Sequence, residues 1–140
     1  MCRETRTFTR TGKPTNATYN ATSGEFNWRP LVTQAGTTNT MTVVVTDNYP
    51  ISLSSTQSFS VVVNPLTPPT MMLPMMVGGQ IGFSVNGQVG PDYAVQASTN
   101  LLVWKTIYIT NPPAMPFTWS TNTGAIPAQF YRIKVGPPLP

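Results

Sequence analysis

Apolar and polar positions alternate with period two through most of the chain. Met41-Thr42-Val43-Val44-Val45-Thr46 puts Met41, Val43 and Val45 on one side, and Ser58-Phe59-Ser60-Val61-Val62-Val63 does the same with Phe59, Val61 and Val63. Alternation of this kind, bounded by turn residues, predicts strands. Asp47-Asn48-Tyr49-Pro50 between them predicts a turn or the start of a loop. Upstream, Ser23-Gly24 reads as a turn, Glu25-Phe26-Asn27-Trp28 as a short strand stopped by Pro30, and Gly36 as another turn. The C-terminal half gives five further strands: Ile81–Val85, Tyr93–Ala97, Trp104–Ile109, Pro116–Trp119 and Gln129–Val135. No ten-residue window shows a 3.6-residue apolar period. The expected fold class is all-β, built as two small antiparallel β-sandwich units.

The boundary between the units is expected at Asn64-Pro65-Leu66-Thr67-Pro68-Pro69-Thr70, where three prolines in five residues disfavour both ladder and helix. This divides the chain into a basic extended arm over 1–13, a first unit over 14–64, a Pro/Met-rich linker over 65–77, a second unit over 78–136 and a Pro-rich tail over 137–140. At about fifty to sixty residues, each unit alone would be marginally stable.

Composition supports strands and removes most reaction chemistry. Thr, Ser and Asn make up 41 of 140 residues and Val adds 13, a mixture suited to pleated strands and turns. Charged residues are 9% and aromatics 10%, which is too little charge and too many rings for a disordered chain. His is absent, Cys2 is the only cysteine, and there are two Asp and two Glu. A catalytic His, a His/Cys metal cluster and a disulfide framework within the chain are therefore excluded. No cofactor is expected, and with four acids and no His the chain is not expected to be an enzyme.

The net charge of +4 is concentrated at the start, where Arg3, Arg6, Arg10 and Lys13 hold half of the basic residues. The other four are scattered. Nucleic-acid binding needs a clustered basic stripe with interleaved aromatics, so none is expected. The longest apolar run, Met71–Val77, is short and split by Pro74, which excludes insertion into a membrane as a spanning helix. No apolar segment follows the basic start, so the arm does not read as a signal peptide.

Two stretches resemble known families. Residues 20–65, with Thr22-Ser23-Gly24-Glu25-Phe26-Asn27-Trp28-Arg29-Pro30, Gln34-Ala35-Gly36 and Val43-Val44-Val45-Thr46-Asp47, resemble bacterial immunoglobulin-like, cadherin-like repeats. Residues Tyr93–Leu101 through Trp104, with Phe130-Tyr131-Arg132, look like a small β-rich module from the C-termini of large secreted bacterial proteins. The resemblance implies a secreted or cell-surface location and a role as spacer or adhesion module. A complete immunoglobulin-like repeat has about seven strands in about 100 residues. The first unit therefore reads as a sandwich lacking its N-terminal strands, either as a truncated piece or as a fold that takes a strand from elsewhere. An incomplete sandwich exposes an edge that invites pairing. Thr5, Arg6, Thr7, Phe8 and Thr9 are the candidate donor strand, for this fold or for a neighbour.

Other candidates are local. Trp119 and Tyr108 are the candidate glycan-stacking pair, with Trp119 expected to be exposed and Trp28 and Trp104 expected in the cores. Asn16 and Asn20 begin glycosylation triplets. Asp47 reads as a turn-capping residue in preference to a calcium ligand. Cys2 reads as a free thiol, with an intermolecular disulfide open to it in an oxidising compartment. The expected function is a non-catalytic extracellular structural or adhesive protein. Its partner is expected to be itself, assembling into fibres by strand addition, or the neighbouring domains of a surface protein. The alternative is a carbohydrate-binding module using exposed aromatic residues.

Overall fold

The computed structural model describes residues 6–48, 50–122, 124 and 129–139; Cys2 and Thr5 lie outside them. The described residues form antiparallel β-sheets, with one turn of 3-10 helix at Val32–Gln34 and no α-helix. The fold is all-β. The chain divides into two compact units, Met1–Pro65 and Leu66–Pro140.

The first unit contains β1 (Arg6–Thr11), β2 (Thr18–Tyr19), β3 (Phe26–Asn27), β4 (Thr38–Asp47) and β5 (Ser54–Val62). Within the expected arm, Arg6–Thr11 form a strand of their own unit: β1 pairs antiparallel with β4 from Arg6 opposite Asp47 to Thr11 opposite Thr42. β4 is central and β5 lies on its other side, from Thr38 opposite Val62 to Thr46 opposite Ser54. The register puts Phe8, Arg10, Met41, Val43, Val45, Phe59 and Val61 on one side. The β2–β3 hairpin covers part of that side. Phe26 meets Phe59 edge-on at 6.4 Å between ring centres, and Arg10 lies 4.2 Å over the Tyr19 ring. The hairpin turn needs Gly24, which has φ +76° and sits so close to Phe8 that a Cβ would approach its ring to 3.3 Å.

The second unit contains β6 (Thr70–Met71), β7 (Met75–Val77), β8 (Gln80–Asn86), β9 (Asp92–Ser98), β10 (Lys105–Thr110), β11 (Phe117–Asn122) and β12 (Phe130–Gly136). β9 is central between β10 and β12, and β8 is central in a second sheet, between β11 and the successive short strands β6 and β7. Part of the expected Pro/Met-rich linker is thus sheet edge. Between Met71, opposite Val85, and Met75, opposite Gly82, the edge carries three residues where β8 carries two. β6 and β7 are one strand interrupted by a bulge at Met72-Leu73-Pro74. The core lies between the two sheets, where Phe83, Val85 and Val95 are buried against Phe117, Trp119, Tyr131 and Ile133.

Candidate functional site

A sheet edge offers unpaired backbone N–H and C=O groups, so natural edges usually carry a device that blocks further pairing. The described sheets of three or more strands have six edges. β1 carries Arg6 and Arg10, and β12 carries Arg132 and Lys134. β10 begins at Lys105 and is bulged between Thr106 and Tyr108. The β6–β7 edge is broken at Pro74, and six-residue β11 is entered directly from Pro116. β5 is the longest of the six, and among the continuous edge strands only the shorter β11 shares its lack of charge, Pro and Gly. The nine residues of β5, Ser-Ser-Thr-Gln-Ser-Phe-Ser-Val-Val, contain no charge, no Pro and no Gly, and pair only with β4. All but Val61 are exposed.

The far side of the same sheet is a field of hydroxyls. Thr7, Thr9 and Thr11 on β1, Thr38, Thr40, Thr42 and Thr46 on β4, and Ser54, Thr56, Ser58 and Ser60 on β5 share it, interrupted by Val44 and Val62. Cross-strand pairs are satisfied laterally: Thr40 and Ser60 hydroxyl oxygens lie 2.7 Å apart, and those of Thr42 and Ser58 2.8 Å. Such pairs fix local register but hold little net energy at an exposed face. Thr7 and Thr9 belong to this face, whereas Arg6 and Phe8 of the same candidate donor strand turn to the hairpin side.

Trp119 and Tyr108 are brought together, with ring centres 6.5 Å apart and planes inclined by 39°. Trp119 does not stand free, however. It packs 5.1 Å from Phe83 and 5.8 Å from Tyr131 between the sheets, because its register partner Phe83 points inward. Trp104 takes the other side of its sheet: Arg132 stacks over its ring at 4.2 Å, and Arg132 Nε donates to Gln96 Oε1 at 2.8 Å. Gln96 in turn donates to the Thr106 hydroxyl at 3.0 Å, so this buried amide is held from both sides. Trp28 is half-buried in the first unit and donates from Nε1 to Asn16 Oδ1 at 3.0 Å. Burial pushes the Tyr93 and Tyr131 hydroxyls above their ordinary pKa, and for Tyr93 the hydrogen bond from the Gln88 backbone partly opposes this.

Asn16 also donates from Nδ2 to the Arg29 carbonyl at 2.7 Å, so glycan attachment at that nitrogen would break a clamp closing residues 16–29. Asn20 is exposed, and its Oδ1 accepts from the Thr22 and Ser23 amides. Asp47 caps the loop after β4: Oδ1 accepts from the Leu53 amide at 3.0 Å, and its carbonyl from the Ser52 hydroxyl at 2.7 Å.

One feature carried no signal in the apolar pattern. A trough of about 300 Å³ lies on the outer side of the β11-β8-β6/β7 sheet, floored by Gly82, Ser84, Thr118 and Ser120 and walled by Met72, Leu73 and Met75. The Met-rich composition was visible, but its placement on a sheet depends on the bulge. The chain matches no family model, no curated protein and no solved structure.

Proposed function

We propose that the chain is a non-catalytic, extracellular structural protein of two immunoglobulin-like β-sandwich units, which coheres through the open edge of β5. The observation that carries this reading is the contrast between β5 and the other five edges. The occupant that fits β5 is a second copy of the same strand. It is uncharged, so two copies meet without repulsion, whereas β1 against β1 would bring arginines together. Antiparallel β5–β5 pairing about a two-fold axis is isologous and closes on itself. It joins two three-stranded sheets into one of six and extends the hydroxyl field across both copies. Growth into fibres then requires a second contact elsewhere.

The glycan alternative loses support from the placement of Trp119, since tilted rings packed into a core offer a sugar no flat platform. Cohesion is tested by sedimentation of the full chain at micromolar concentration. A species of twice the 15.2 kDa chain mass is expected, reduced to the single chain by Thr56→Lys/Ser58→Lys on the exposed strand. A wild-type chain that stays monomeric would refute it. Dissociation on deleting residues 1–13, with the lysine variant still dimeric, would assign assembly to exchange of β1 instead.

A further inference from the structure

We propose that Met72 and Met75 form a site for a soft monovalent cation, Cu(I) or its redox-inert analogue Ag(I), in the trough beside β8. In an uninterrupted strand, residues three apart point to opposite faces. The extra residue at Met72-Leu73-Pro74 reverses that parity. Met72 donates its backbone N–H to Ser84 at 2.9 Å, and Met75 stands opposite Gly82. Ser84 and Gly82 face away from the core that Phe83 and Val85 enter, so Met72 and Met75 both lie on the outer side and line the same trough. Gly82 leaves the floor open beneath Met75; a Cβ there would reach the Ser120 Cβ at 3.4 Å.

The donor set then selects the ligand. Among the described residues, no ionisable side chain lines the trough, so its strongest donors are two thioether sulfurs beside neutral hydroxyls. Hard cations such as calcium and magnesium need several oxygens, preferably carboxylates, and find none. Thioethers prefer soft ions, and Cu(I) is the biological case. Both residues are exposed, Met72 by 59% and Met75 by 71%, unlike methionines recruited to fill a core. Met71 and Met76 lie across from Val85 and Ile81, on the opposite face, and serve as an internal control from the same hexapeptide.

The test titrates the full chain carrying Cys2→Ser, which removes the competing thiol, with Ag(I) and follows the methionine methyl resonances. Cu(I) is then titrated anaerobically in competition with a chromophoric Cu(I) chelator. The Met72 and Met75 methyls are expected to shift together. Met72→Leu/Met75→Leu is expected to weaken binding by at least about tenfold, and Met71→Leu/Met76→Leu to leave it unchanged. All four side chains are exposed, so leucine keeps the fold. Absence of a methyl shift would overturn the site. So would equal loss in the two double variants, which would mean an unstructured methionine tract in place of a trough.

Discussion

The two units solve the same problem in opposite ways. In the second, β9 is buried from Tyr93 to Ser98: rings and aliphatic side chains cover one face, and the Arg132–Gln96–Thr106 network with Trp104 covers the other. In the first, Met41 is the only large apolar side chain that is fully buried among the described residues. Its interior also includes polar atoms without hydrogen-bond partners among those residues, namely Arg10 Nη1 and the Tyr19 hydroxyl. An unpaired buried polar group costs about 1–3 kcal/mol. The second unit is therefore organised around a core, and the first around a sheet that it presents. A sheet with a hydroxyl face and an unguarded edge suits contact with other molecules better than independent stability.

Substitutions can break or sharpen this contrast. The largest effect is expected from Trp119→Ala, which removes the ring that joins Phe83, Tyr131 and Tyr108; it should cost about 3 kcal/mol in denaturant unfolding. A cost no larger than that of Trp104→Ala would mean that the ring does not organise the core. Trp104→Ala removes the ring under Arg132 and the Nε1 hydrogen bond to the Leu101 carbonyl, both on the outer face, and should cost about 1 kcal/mol. Next comes pH. Tyr93 and Tyr131 hold their protons more tightly when folded than the ordinary value of 10.0 allows. That contribution is complete below the unfolded pKa and is lost as pH rises through the folded one. Stability of the second unit should fall above pH about 10, read by near-ultraviolet signals during denaturation, and Tyr93→Phe should flatten the fall. The smallest effect is expected at the hydroxyl face, where Thr42→Val should change stability by less than about 0.5 kcal/mol. A larger loss would show that these hydroxyls hold the sheet together.

Most of the longer strands were legible because period-two alternation survives in them, most clearly in β4, β8 and β12. Met41–Thr46 and Ser58–Val63 lie within or nearly within β4 and β5, and Tyr93–Ala97 within β9. Facing was legible only where the strand is regular. The bulge between Thr106 and Tyr108 puts Thr106 opposite Gln96 and Tyr108 opposite Val95, on opposite sides of the sheet. Counting alternation back from Tyr108 therefore sends Trp104 into the core, while the bulged strand sends it out to Arg132. The bulge at Met72–Pro74 hid the trough in the same way, since a single extra residue reverses facing without altering composition. β1 read as an arm because its alternation is threonine against arginine, with Phe8 alone marking an apolar side.

The central claim is that β5 is the edge through which copies meet. Its most direct test is amide hydrogen exchange along Ser54–Val62 at increasing concentrations of the full chain. Amides pointing away from β4 should exchange freely in dilute solution and become protected as concentration rises, while those bonded to β4 stay unchanged. Exchange along β5 that is independent of concentration, under conditions where the chain is associated, would place the contact elsewhere and contradict the claim.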